Sequence, residues 1–218
     1  MSILAKEIWN QKLFNGSWQP AQQTYSVVEV ATGQVLGEIG YASAQNVVEA
    51  AQQAKIAQQQ WWALSYQERQ AVFERAVALL TENQADVIAW LVKESGSLQL
   101  KAGFEVSISI QVLKHCIGLP AADQGTVLPT QNGKLSIAKR VPLGVVGVIS
   151  PFNFPLYLAL RAVAPALALG NAVVLKPDER TAVCSGYVIA RIFELAGLPK
   201  GLLHVLPGGA EVGEALTL

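Results

Sequence analysis

Residues 142–179 read PLGVVGVISPFNFPLYLALRAVAPALALGNAVVLKPDE, the part of the chain with the clearest alternation of strand and helix signals. It opens with an apolar run, Val145–Ile149, short enough for a buried strand. The turn Ser150-Pro151-Phe152-Asn153-Phe154-Pro155 follows, then a long apolar segment that ends at Gly170. A second short apolar run over 172–175 leads into the polar Lys176-Pro177-Asp178-Glu179. Strand, loop, helix, strand is the pattern of a right-handed βαβ unit with parallel strands. Small ligands of such units lie beyond the carboxyl ends of the strands. Both polar clusters sit at those ends, which places them on one rim.

Downstream the pattern repeats. A helix is expected over 181–196, closed by Gly197 and Pro199, and a third strand over 203–206. The tight turn Pro207-Gly208-Gly209 then leads into a helix beginning at Ala210. Upstream, Asn15-Gly16 marks a tight hairpin, and 27–30 with 35–39 reads as a second strand pair. Ser43 caps a helix running to about Trp62, and Gln58, Gln59 and Gln60 on it are expected to face water. Ser65-Tyr66-Gln67-Glu68 is a capping box that opens the next helix, with Val72, Phe73, Ala76, Val77, Leu79 and Leu80 as its apolar stripe. Further helices are expected over 84–94, stopped at Gly96, and over 100–117, stopped at Gly118 and Pro120. Asn132-Gly133 then marks a half-buried hairpin whose second strand alternates Leu135, Ile137, Lys139 and Val141 on one side.

The totals narrow the class. Apolar residues make up 51% and charged residues 15% of the 218, which suits a globular α/β chain and leaves little for disorder. Sixteen basic residues balance sixteen acidic ones, so no basic footprint for nucleic acid is present. Lys6 and Glu7 break the amino-terminal apolar run, unlike a signal peptide, and Arg161, Pro165 and Asn171 interrupt the others, which argues against a membrane span. Two cysteines without CxxC spacing suggest a reduced, cytoplasmic protein. His115-Cys116 has no third ligand spaced for a metal. His204 reads as a satisfied core histidine, Cys184 as packing, and Trp61-Trp62 as the anchor of a helix end.

The quoted stretch resembles the NAD(P)-dependent aldehyde dehydrogenase superfamily. The matching residues are Pro151-Phe152-Asn153-Phe154-Pro155, then Pro165-Ala166-Leu167 with Gly170-Asn171, and Lys176-Pro177-Asp178-Glu179. The combination at this spacing is specific, although each piece alone is weak. The resemblance implies a Rossmann-like parallel βαβ sheet with flanking helices and a protruding β-hairpin arm, here incomplete. Residues 1–124 would be the amino-terminal hairpins and helices, 125–141 an oligomerisation arm, and 142–218 the coenzyme-binding core. From the residues alone, the alternative is a surface hairpin packed on its own subunit.

The resemblance also assigns roles. Asn153 would donate to the oxygen that becomes negative when a thiolate attacks an aldehyde; from its residue type alone it could instead satisfy its own turn. Lys176 and Glu179 would hold the adenosine ribose diol, favouring NAD, with NADP as the alternative; the plainer reading is a surface Lys–Glu contact. Gly209 and Gly213, with Gly208, would lie near the pyrophosphate, though Gly208 also suits a plain turn. Ile149, Ser150, Pro151 and Phe152 would line the nicotinamide half, Phe152 standing where the family often has Trp. Phe154, Leu158 and Arg161 would face the substrate, and Arg161 is similar to dehydrogenases of aromatic aldehydes such as benzaldehyde and vanillin; a structural ion pair for Arg161 is the alternative.

The family reaction needs a Cys nucleophile and a Glu base, which in the family lie well beyond residue 218, followed by hydride transfer and thioester hydrolysis. The expectation is therefore the amino-terminal part of an aldehyde dehydrogenase, inactive by itself. Its homo-oligomer would form through the hairpin. Two alternatives stand beside it: a non-catalytic nucleotide-binding or self-associating module, and a semialdehyde-specific or CoA-acylating relative.

Overall fold

The computed structural model describes residues 2–218. After a one-turn helix α1 (Lys6–Trp9), strands β1 (Lys12–Asn15) and β2 (Trp18–Pro20) form the Asn15-Gly16 hairpin, and β3 (Gln23–Val28) pairs with β4 (Val35–Tyr41). Four helices follow: α2 (Ala44–Ala63), α3 (Tyr66–Glu82), α4 (Gln84–Ser95) and α5 (Gln99–Gly118). Then come β5 (Gly125–Leu128), β6 (Ser136–Lys139), β7 (Val145–Ile149), α6 (Pro155–Ala168) and β8 (Ala172–Lys176). The chain finishes with α7 (Val188–Leu195), β9 (Leu203–Val205) and α8 (Ala210–Ala215).

The central sheet runs β2-β1-β9-β8-β7. β7, β8 and β9 are parallel, as the crossover helices α6 and α7 require. The first strand joins them from the other end of the sequence: β1 lies antiparallel to β9, with Phe14 opposite Val205 and Asn15 opposite His204. β8 is buried on both faces, which is why 172–175 reads as a continuous apolar run. Val174 packs into a cluster with Val47 and Ala50 of α2, while Val173 and Leu175 join the larger cluster under α6 and α7. Each such fully buried side chain contributes about 1.5–3 kcal/mol. α3, α4 and α5 pack outside that second helical layer.

The caps form where the sequence places them. Ser43 accepts from the Asn46 N–H and Ser65 from the Glu68 N–H, and both boxes close. Gly96 ends α4 in the left-handed conformation at φ 65°. The Trp61 indole donates to the Leu167 carbonyl at 2.8 Å, tying α2 to the end of α6.

Three expectations need correction. Gln58 does not face water; it is half-buried and donates to the Gly170 carbonyl at 2.7 Å, closing the α6 end, whereas Gln59 and Gln60 are exposed. The 125–141 hairpin is not half-buried: seven of its eight strand residues are exposed, because among the described residues β5 and β6 pack closely only on each other. The segment over 181–196 is not one α-helix. A 3₁₀ turn at Glu179–Thr181 and a π-helical turn at Val183–Tyr187 precede α7. The widened turn carries Gly186, whose missing Cβ would meet Val205 at 2.5 Å, so the backbone packs directly onto β9.

His204 is fully buried, with its ring nitrogens 2.6 Å from the Asn15 side chain and 2.9 Å from the Gly201 carbonyl. Burial pushes its pKa down to about 4. The unfolded ring, at 6.5, takes a proton first, so the stability it supplies above that pH is lost as pH falls toward 4. Thermal melts across this range should therefore show a shallower acid decline for His204→Gln than for the native protein; parallel declines would remove the histidine as the cause.

Candidate functional site

β7 and β8 run in register, with Ile149 opposite Lys176, and the Ser150 N–H donates to the Lys176 carbonyl at 3.1 Å. The loops that leave these strands therefore start side by side. The Leu206 N–H adds the third strand end by donating to the Leu175 carbonyl at 2.9 Å. An open cleft of about 440 Å³ lies at this rim, lined by Ile149, Lys176, Glu179, Gly209 and Gly213 together with Asp178, Arg180 and Ala210. Five of the residues expected to hold a coenzyme are thus gathered in one place.

Two of the cleft's polar side chains are unengaged. Among the described residues, neither the Lys176 ammonium nor the Glu179 carboxylate has a hydrogen-bond or ion-pair partner. The Glu179 backbone is fixed instead: its carbonyl accepts from the Tyr25 hydroxyl at 3.1 Å. Tyr25 stacks edge-on against Tyr41, centroids 5.8 Å apart, and the Tyr41 hydroxyl accepts from the Gly209 N–H at 2.9 Å. A Cβ at Gly209 would meet that hydroxyl at 2.6 Å and a Glu179 carboxylate oxygen at 3.1 Å, so any larger residue would have to push both side-chain tips aside. Gly213 differs: a Cβ there would make ordinary contact with the Lys176 side chain at 3.7 Å. Gly208 packs a turn, where a Cβ would meet Val212 at 2.5 Å.

Ser150, Pro151 and Phe152 do not line the cleft; they continue from it along the β7 loop. Ser150 is buried and its hydroxyl has no partner. Phe152 is 44% exposed and lies beneath the Arg180 guanidinium, 3.7 Å from ring centroid to Cζ. Asn153 is exposed, and among the described residues its carboxamide makes no hydrogen bond, to its own turn or elsewhere. Phe154 caps α6, and Pro155 takes the first helical position, where its missing N–H costs nothing. Phe154 and Leu158 are half-buried and Arg161 is exposed, its guanidinium 6.0 Å from the Tyr157 ring. These three lie along α6 and do not line the cleft.

Two buried glutamates, unremarked in the sequence, hold the helices that follow β7 and β8. Glu105 of α5 accepts from the Leu156 and Tyr157 N–H groups at 2.8 and 3.2 Å, fixing the start of α6 and with it the Asn153 turn. Its other oxygen lies 3.3 Å from Lys101, whose ammonium sits over the Phe154 ring at 4.3 Å. Burial raises the Glu105 pKa, opposed by those N–H groups and by Lys101. Glu94 of α4 accepts from the Val183 and Cys184 N–H groups at 2.9 and 2.7 Å. Burial pushes it up to about 7 against those donors.

Cys116 and Cys184 are buried free thiols. Burial pushes Cys116 up to about 12 and Cys184 well above its usual value, where Glu94 adds to the shift. Thiols buried in this way suit packing, since burial disfavours the thiolate that nucleophilic chemistry needs.

A profile of the aldehyde dehydrogenase family matches residues 18–218. The chain is 52% identical over its whole length to 45% of a vanillin dehydrogenase from Amycolatopsis sp.. It is 45% identical over 96% of its length to 44% of a benzaldehyde dehydrogenase [NAD(+)] from Pseudomonas putida. The crystal structure of a NAD-dependent benzaldehyde dehydrogenase from Corynebacterium glutamicum superposes with a TM-score of 0.89 at 39% identity, over 94% of this chain and 46% of that one. The chain thus spans about half the length of the relatives it matches. The rim geometry, the motif spacing and this likeness lead to one assignment: the chain belongs to the aldehyde dehydrogenase family.

Proposed function

We propose that this chain is the coenzyme-binding part of a dehydrogenase that oxidises an aromatic aldehyde to its carboxylic acid with NAD. The observation that carries this is the cleft at the ends of β7 and β8, where Lys176 and Glu179 lie together with unengaged side chains. A carboxylate and an ammonium so placed match the vicinal diol of an adenosine ribose. A nicotinamide coenzyme held there would supply the acceptor for the hydride that leaves the aldehyde carbon.

The residues of this chain would do the positioning. Ile149 and the Ser150–Phe152 loop would border the nicotinamide half, and Gly209 and Gly213 would leave room for the pyrophosphate. Asn153, exposed and unpartnered, would donate to the aldehyde oxygen as negative charge develops on it, where an aimed donor counts most. Phe154, Leu158 and Arg161 would border the aldehyde; the names of the relatives favour an aryl group. The nucleophile and the general base would come from sequence beyond residue 218, since both cysteines here are buried. The 125–141 hairpin, with Val127, Leu135 and Ile137 exposed at 70%, 74% and 57%, would pack on a second copy.

The deciding experiment is an activity scan of the complete protein that carries this chain, with aryl and short aliphatic aldehydes and with NAD and NADP. Turnover of aryl aldehydes with NAD is expected. Nucleotide binding without turnover would favour a non-catalytic module, and acyl-CoA formation or a preference for semialdehydes would favour those branches. Glu179→Gln should weaken NAD more than NADP, because only the diol loses its acceptor while a 2′-phosphate loses a repelling charge. An unchanged ratio would mean that the ribose is held elsewhere.

A further inference from the structure

We propose that Asp178 governs coenzyme choice by occupying Arg180, an arginine placed to receive a 2′-phosphate on the adenosine ribose. This rests on the coenzyme reading of the cleft and adds a residue pair to it. Arg180 directly follows Glu179 and lines the same cleft. Two contacts set its guanidinium. Its flat face lies on Phe152 at 3.7 Å, and its Nε and Nη2 donate to the two oxygens of Asp178 at 2.8 Å each. The fork is therefore beside the ribose site with those two donors already engaged.

A guanidinium fork fits a phosphate as well as a carboxylate, so Asp178 and a 2′-phosphate compete for the same donors. An arginine near the ribose is the usual means of accommodating that phosphate. The Arg180 side chain is 64% exposed and the Asp178 side chain 22%, so this is a surface pair, which a better partner displaces readily. A ribose diol asks nothing of Arg180; Lys176 and Glu179 suffice for it. A 2′-phosphate must displace Asp178 and also face Glu179. Two adjacent carboxylates thus act against the phosphate for different reasons, one by repulsion and one by holding its natural partner.

The test is calorimetric titration of the complete protein with 5′-AMP and with adenosine 2′,5′-bisphosphate, which carry the ribose without and with the 2′-phosphate and need no turnover. In Asp178→Asn the carboxamide still accepts from the Arg180 N–H, so the turn is kept, and Asp178→Ser serves if the first variant folds poorly. Relative to 5′-AMP, affinity for the bisphosphate is expected to rise about five- to tenfold, the change one charge-assisted partner makes. Adding Arg180→Gln should abolish the gain. A gain that survives without Arg180 would reduce Asp178 to a general negative charge and overturn the proposal, as would an equal change for both nucleotides. If neither nucleotide binds the native protein, the coenzyme reading of the cleft falls as well.

Discussion

Asn153→Ala should lower kcat of the complete protein for an aldehyde by about 10²–10³-fold, the usual loss when one oxyanion donor is removed. The KM for the coenzyme should stay near its native value, because Asn153 does not line the cleft. Stability should also hold, since the exposed side chain bonds to nothing in its own turn and alanine leaves no group unsatisfied. Steady-state kinetics beside a thermal melt separates these outcomes. A variant keeping more than about a tenth of native kcat would show that the aldehyde oxygen is received by other donors.

The second large effect concerns folding. Glu94→Ala strands two buried N–H groups, at Val183 and Cys184, each costing about 1–3 kcal/mol when unsatisfied. A total loss of about 3–5 kcal/mol is a large share of the 5–15 kcal/mol typical of a domain. Denaturant unfolding should show it, with Glu94→Gln recovering part through its carbonyl. Glu94 also tilts the pH response. Its folded pKa of about 7 lies above the unfolded 4.5, so its contribution is fully present below 4.5 and fades as pH rises through 7. This opposes the slope from His204, and Glu94→Gln should remove it. A Glu94→Ala protein of native stability would mean that the π-helical turn repacks to satisfy its own backbone.

Much of the architecture was legible because its signals are local. Ser43 and Ser65 announce helix starts, Gly96 and Gly170 announce ends, and the unbroken apolar run before Lys176 announces a strand covered on both faces. The rim followed from topology, since parallel strands joined by helices bring their carboxyl ends together. What escaped depends on partners distant in sequence. Gln58 belongs to a polar run, and only the fold brings the Gly170 carbonyl within its reach. The π-helical turn at Val183–Tyr187 is set by Glu94 and by the approach of Gly186 to β9, neither visible in the local spacing. Tyr41 and Arg180 complete the site from a strand end and a turn that carry no motif.

Glu94 and Glu105 did leave a trace. Glu94 continues the stripe of Val87 and Leu91, and Glu105 sits among Ala102, Val106, Ile110 and Leu113, all buried. A lone carboxylate inside an apolar helical face signals that it has backbone donors to satisfy, and here those donors are the starts of the two helices behind the rim.

The pairing of β1 with β9 has a consequence for how the chain is made. The Asn15–His204 contact closes a loop of 189 residues, and Trp18 and Lys12 wait for Glu194 and Tyr187 across similar spans. During synthesis the opening ribbon emerges long before the strand it must dock against, with one edge left bare throughout. Contacts of such separation are the slowest to form, and a bare edge is where nascent chains stick to one another. The ribbon is therefore made early and locked late, and its bare edge is open to mispairing for the whole interval between.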